Sequence, residues 1–216
     1  MRTKRVFIIT CLLISSLSTC YSQVVKDIEG NIYKTVKIGS QEWMTENLRT
    51  TKYNDGESIP LIVDNSVWGK GENAGYCWYH NDVTFKKEYG ALYNWYSVNS
   101  NKLCPLGWHV PDDEDWTALT DFLGGEMNAG DMLKADSGIW DESGQGTNET
   151  GFTALPGGKR DGDGEFAVFG EFGYWWSATE FDVDNSWERS MRYSDSDVFR
   201  TIFNKRYGIS VRCLKD

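Results

Sequence analysis

Three groups of residues in this 216-residue chain have types and spacings that could do chemistry. The first is Asp161-Gly162-Asp163-Gly164-Glu165, where acid alternates with glycine. Three carboxylates could point one way while the glycines permit a sharp turn, which is what a Ca2+ loop requires. Measured against an EF-hand the stretch fails, because its twelfth position is Phe172 rather than glutamate, and an ordinary acidic turn would look the same. Asp182, Asp184 and Asn185 form a sparser second set. The second group is aromatic. Trp175 and Trp176 are neighbours in a strand-like run, so they should face opposite sides, one into the core and one outward as a platform for a sugar ring or a partner's hot spot. Trp187 sits near polar loop residues, as do Trp68 and Trp140, and Arg160 supplies a cation in the same region, so Trp175, Trp176, Trp187 and Arg160 are the candidate ligand-binding residues. Core packing is the competing account for each tryptophan.

The third group, nucleophiles and their bases, is poorly represented, and no catalytic residue is assigned. Only His80 and His109 are present. Cys77 and His80 are three apart in a segment that reads as a strand, where that spacing puts them on opposite faces. No H-E-x-x-H, G-x-S-x-G or Walker loop occurs. With 32 acidic residues some carboxylate pair will always look suited to glycoside hydrolysis, so such a pair carries no weight.

The elements that must position these groups follow from periodicity. Tyr89, Leu92, Tyr93 and Tyr96 recur at i, i+3, i+4 and i+7 and predict a first amphipathic helix. In Leu103-Cys104-Pro105-Leu106-Gly107-Trp108-His109-Val110-Pro111-Asp112, a turn leads into a short extended run that Pro111 ends. Asp112 then reads as an N-cap, with Asp113, Glu114 and Asp115 suited to the positive end of a helix dipole. Trp116, Leu119, Phe122 and Leu123 give that second helix its apolar stripe, and Gly124 stops it. A third short helix is expected from Met127 to Lys134.

Ile32, Tyr33, Val36 and Ile38 read as an opening strand, followed by a turn and then Trp43 and Met44. Residues 54–73 read as irregular, 76–79 and 152–155 as short strands, and 173–179, 187–193, 198–203 and 209–214 as antiparallel strands. Helices early and sheet late argue for an α+β fold. Ten tryptophans and eleven tyrosines suit a loop-rich domain that fills space with large flat side chains.

Arg2, Lys4 and Arg5 precede an apolar run from Val6 to Leu17, the pattern of a secretory signal peptide over residues 1–22. Cleavage before Gln23 competes with a lipobox-like Leu17-Ser18-Thr19-Cys20, in which Cys20 would carry lipid. Thr19 suits the lipobox poorly, which favours the first cut and leaves 23–216 as one domain. Removing three basic residues takes the formal charge from −10 to −13, which should repel nucleic acid and anionic membrane surfaces. Cys77, Cys104 and Cys213 remain, an odd count in an oxidising compartment.

The Cys-Pro-x-Gly-Trp-His-Val-Pro stretch and the acidic tryptophan helix behind it resemble the Fibrobacter succinogenes major paralogous domain, a family of bacterial exported proteins. Asp27-Ile28-Glu29-Gly30-Asn31-Ile32-Tyr33, Gln41-Glu42-Trp43-Met44-Thr45-Glu46-Asn47-Leu48, Tyr89-Gly90-Ala91-Leu92-Tyr93-Asn94-Trp95-Tyr96, Gly173-Tyr174-Trp175-Trp176-Ser177-Ala178-Thr179 and Gly208-Ile209-Ser210-Val211-Arg212-Cys213-Leu214-Lys215-Asp216 agree, in order.

The resemblance implies a C-type-lectin-like α+β fold: two or three short helices plus a twisted antiparallel sheet with long irregular loops. Lectin-like folds tie their terminal strand to an earlier element, which points to a Cys104–Cys213 disulfide worth on the order of 4–5 kcal/mol by loop-closure entropy. Two buried thiols would fit the spacing equally well. The family has no established activity. The fold also hosts formylglycine-generating enzymes, but their closely spaced cysteine pair is missing here. The expectation is a non-catalytic binding or adhesion module at the periplasm, cell surface or exterior. It would contact a glycan or a surface protein, meet the membrane only through an anchor at Cys20, and have Ca2+ as its conceivable ion. An enzyme of unknown class and a structural envelope component are the alternatives.

Overall fold

A computed structural model describes residues 23–144 and 146–216. The leader, its two cleavage sites and Cys20 lie outside the described residues. Antiparallel strands β1 (Val24–Lys26), β2 (Ile32–Ile38) and β3 (Gln41–Met44) open the chain. A short helix α1 (Asn65–Lys70), capped by the Asp64 carboxylate, interrupts the segment expected to be irregular. Strand β4 (Tyr76–Cys77), helix α2 (Lys86–Tyr89), strand β5 (Leu92–Tyr93), helix α3 (Trp95–Val98) and strand β6 (Trp108–His109) follow.

The single helix expected through Tyr89, Leu92, Tyr93 and Tyr96 is therefore broken into helix, strand and helix. Gly90 breaks it. Its φ is +79°, and a Cβ there would lie 2.7 Å from both the Asn47 Cβ and the Leu48 carbonyl oxygen. Backbone passes too close for any other residue, and the left-handed φ ends the helix.

Helix α4 (Asp113–Phe122) forms as its sequence dictates. Asp112 accepts from the Asp115 amide at 2.8 Å and Asp115 accepts from the Asp112 amide at 3.0 Å, a reciprocal capping box. Trp116 and Leu119 are buried, with the Trp116 ring 4.9 Å from Trp43. Phe122, expected in the apolar stripe, is 64% exposed because it overhangs the β2–β3 turn at Gly39. Helix α5 (Glu126–Leu133) packs on the late sheet through Gly130, whose Cβ would meet the Ser196 carbonyl oxygen at 2.6 Å.

Strands β7 (Lys159–Arg160), β8 (Phe166–Ala167), β9 (Phe172–Glu180), β10 (Asn185–Arg192), β11 (Val198–Asn204) and β12 (Leu214–Lys215) complete the α+β fold. The β structure is divided. One five-stranded sheet runs β1-β2-β3-β12-β6, one three-stranded sheet runs β11-β10-β9, and β4-β5 and β7-β8 are separate pairs. The chain end thus closes the first sheet, with Leu214 opposite both Trp43 and His109.

The expected strand over 209–214 is mostly a threaded segment bonded to several neighbours. The Leu48 amide donates to Val211 O, Met44 to Cys213 O and Trp176 to Ser210 O. Arg212 lies buried within it and donates to Asn47 Oδ1 at 2.6 Å. Burial lowers its pKa to about 9. Cys104 and Cys213 form the expected disulfide, with Cα atoms 6.0 Å apart, and Cys77 is a buried free thiol.

Candidate functional site

The aromatic candidates separate sharply. Trp175 and Trp176 do face opposite sides of β9, but both are fully buried and neither is a platform. Trp175 donates to Asn47 Oδ1 at 2.9 Å in the layer of Trp43, Trp116 and Phe152. Trp176 donates to the Tyr93 carbonyl at 2.8 Å in the layer of Trp95 and Ile209. The strand runs between two apolar layers, so alternation sends the two indoles into two cores. Trp68 and Trp140 are buried as well.

Arg160 is fully buried and serves as an internal pin. It donates to Gly164 O at 2.9 Å, to Val63 O at 3.1 Å and to Asn65 Oδ1 at 2.9 Å, and its guanidinium lies 4.4 Å from the Trp68 ring centre. It cannot reach a ligand from there.

The acidic triplet is the turn of the β7–β8 hairpin. Asp161 pairs with the Lys159 ammonium at 2.9 Å, and Glu165 accepts from Asn65 Nδ2 at 2.8 Å. Two of the three carboxylates thus have a side-chain partner, while Asp163 accepts only from the Glu165 amide at 3.5 Å. Among the described residues no group of three His, Cys, Asp or Glu side chains is arranged to hold a metal ion.

The histidines offer no catalytic pair. His109 places Nδ1 2.7 Å from Asp216 Oδ1 and Nε2 3.1 Å from Asp115 Oδ2. Asp115 raises its pKa, burial opposes and Asp216 adds, reaching about 9. Both ring nitrogens are therefore committed to clamping the chain end onto α4. Cys77 is buried, and burial pushes its thiol up to about 12, far from a nucleophile's range. His80, three residues on, is exposed.

Of the candidate tryptophans and Arg160, Trp187 alone reaches the surface, and the sheet explains how. Along one face of β10 stand Trp187, Arg189 and Met191, opposite Ile202, Arg200 and Val198 of β11. Met191 and Val198 are covered, in the core with Trp116, Leu119 of α4 and Ala129, Leu133 of α5. Coverage ends at the first residue of α4. There Asp113 takes Arg189 Nη1 at 2.8 Å and Arg200 Nη2 at 2.8 Å. Burial alone would raise the Asp113 pKa, but Arg200 and Arg189 hold it below the usual carboxylate range.

Beyond Asp113 the face is bare: Ile202 is 41% exposed, and on the adjoining β9–β10 turn Phe181 is 49% and Val183 82% exposed. Arg200 lays its guanidinium 3.5 Å from the Trp187 ring centre, and Phe181 meets the same indole edge-to-face at 5.1 Å.

The tip carrying Phe181 and Val183 is held from beneath. Lys205 is buried, pairs with Glu180, and donates to the carbonyls of Asp182 and Val183, each at 2.8 Å. Its ammonium lies 4.8 Å from the Trp95 ring centre. Asp182 Oδ1 accepts from the amides of Asp184 and Asn185, fixing the turn. In the second set of possible cation ligands, Asp182, Asp184 and Asn185, the Asp182 carboxylate is thus taken up by the amides of the other two and by the Asn185 side chain. The sequence carried one overlooked signal for this patch. Phe181 and Val183 stand among aspartates in a turn, where core packing gives an apolar side chain no reason to be.

On the opposite face of β10, Glu188 is fully buried beside Thr201. It accepts from Ser190 at 3.2 Å through Oε1, while Oε2 has no hydrogen-bond partner among the described residues. Elsewhere a shallow aliphatic cleft of about 560 Å³ is lined by Pro60, Leu61, Ile62, Val63 and Val67. It lacks an aromatic or cationic anchor. Among the described residues no helix is long and apolar enough to cross a membrane.

The profile of the Fibrobacter succinogenes major domain matches residues 36–215. The chain belongs to that family. No curated protein and no solved structure matches it.

Proposed function

We propose that this chain is an exported, non-catalytic binding module that docks onto a protein of the bacterial cell envelope. The contact surface is Phe181, Val183, Trp187 and Ile202, with Arg200 at its centre. One observation carries the reading: a tryptophan and an arginine packed on each other are flanked by the exposed Phe181 and Ile202, beside a hairpin tip that carries the exposed Val183 and that Lys205 holds from beneath. Tryptophan and arginine dominate protein–protein hot spots, and a rigid tip loses little entropy on docking. A glycan is the weaker reading, because a pyranose stacks on an open aromatic face and Arg200 and Phe181 occupy Trp187. Export rests on the basic and apolar leader, and a lectin-like ancestry on the sequence resemblance.

The test is binding of the purified chain to envelope fractions by surface plasmon resonance, with the fractions treated either with protease or with periodate. Protease should abolish the signal and periodate should leave it. Val183→Asp and Phe181→Ser should each weaken binding at least tenfold with folding intact. Loss on periodate alone, or binding indifferent to both variants, contradicts the proposal.

A further inference from the structure

The two edges of the three-stranded sheet are treated very differently. The β9 edge is stitched to the rest of the molecule: Trp176 donates to Ser210 O, Ser210 donates to Tyr174 O, Ala178 donates to Pro111 O and Gly158 donates to Phe172 O. Among the described residues the β11 edge makes one backbone hydrogen bond outside its ladder with β10, at its last residue, where Asn204 O accepts from the Tyr207 amide at 2.9 Å. The outward N–H and C=O groups of Val198, Arg200 and Ile202 therefore have no backbone partner among the described residues. Folded proteins blunt such edges with proline, lysine, bulges or very short strands. Val198-Phe199-Arg200-Thr201-Ile202-Phe203-Asn204 has none of these. Its one charge, Arg200, is neutralised within the molecule by Asp113.

We infer that β11 pairs with β11 of a second copy of this chain, antiparallel about a twofold axis through Thr201, to give one continuous six-stranded sheet. The strand is self-complementary in that register. Phe199 falls opposite Phe203 of the second copy, Thr201 opposite Thr201, and Arg200 opposite Ile202. Aromatic pairs and threonine pairs are favourable cross-strand neighbours, and no like charges face each other. Same-face residues stay on the same face, so the two Trp187 patches become one surface on either side of the axis. Each copy has one open edge and one stitched edge. The assembly therefore closes at two copies and does not grow into a fibre. This inference stands apart from the docking proposal: a dimer that binds no envelope protein would defeat that proposal alone, and a monomer that binds would defeat this one alone.

The test uses the full mature chain. Analytical ultracentrifugation should show the mass doubling as concentration rises through the micromolar range, with no larger species. Thr201→Lys, which sets two ammonium groups against each other on the axis, should remain monomeric at all concentrations. Cysteine at the axis gives a readout that does not depend on losing the dimer. Thr201→Cys places two sulfurs across a strand pair, with Cα atoms about 5 Å apart. It should cross-link under oxidised glutathione far faster than Val183→Cys on the exposed tip. A parent chain that stays monomeric, equal cross-linking rates for the two cysteine variants, or a dimer that survives Thr201→Lys overturns the inference. Growth into higher oligomers also overturns it.

Discussion

Arg200 and Trp187 lie on adjacent strands with the guanidinium 3.5 Å from the indole centre, while the same guanidinium holds Asp113 at the start of α4. One side chain thus marks the boundary between the covered and the bare half of the sheet face. The bare half is where function is expected.

Asp113 serves two arginines of unequal burial, and its removal should show it. Arg189 has no exposed side-chain surface, whereas Arg200 is 36% exposed. Asp113→Asn leaves Arg189 as a buried charge without a counter-ion and should cost about 3 kcal/mol in urea unfolding. Arg200→Gln removes a solvent-screened partner and should cost less than about 1 kcal/mol. Equal losses would show that the buried arginine does not depend on Asp113.

Lys205 should control the tip more than the fold. Lys205→Met keeps the apolar stem against Trp95 and removes the donor to the carbonyls of Asp182 and Val183. Hydrogen exchange at residues 181–185 should accelerate, with little change in α4 or β3. Binding to envelope fractions should fall with it, because a mobile tip must be ordered on contact.

Stability should fall with rising pH in two separate windows. Burial raises Glu188 from 4.5 to about 7, so the fold favours its protonated form. That contribution is complete below about 4.5 and is lost as pH climbs through 7. Glu188→Gln should remove this step and be more stable than the parent above pH 7, by about 2–3 kcal/mol. His109, raised from 6.5 to about 9, contributes fully below 6.5 and loses its contribution as pH passes 9. His109→Gln should flatten only the upper window. A denaturant midpoint followed from pH 4 to 10 resolves the two steps.

The Cys104–Cys213 bridge closes a loop with a sequence separation of 109. The double variant Cys104→Ala, Cys213→Ala should lose about 4 kcal/mol, chiefly through a freer unfolded chain. An unchanged unfolding midpoint would mean that the bridge adds nothing to the packing around Val211 and Leu214.

What could be read in the sequence was local. Asp112 and Asp115 announce the cap of α4 because both halves of a capping box lie within one turn. The Tyr89 to Tyr96 periodicity misled because Gly90 is set by a distant contact with Asn47. Alternation placed Trp175 and Trp176 on opposite faces correctly, but only the tertiary layers reveal that both faces of β9 are covered. The extent of the exposed patch was illegible for the same kind of reason. It exists because α4 begins at Asp113 and leaves the last stretch of sheet uncovered, and sequence spacing does not record where one element stops relative to another. Trp187 was visible as a tryptophan beside polar loop residues, but Trp68 and Trp140 carried the same signal and are buried.

Hydrogen exchange of the chain with and without envelope fractions tests the central claim most directly. Bound partner should slow exchange at residues 181–187 and around Arg200 and Ile202, and leave the Pro60 to Val67 cleft and the β7–β8 hairpin unchanged. Protection confined to the cleft or the hairpin, with the Trp187 tip exchanging as in the free chain, would contradict it.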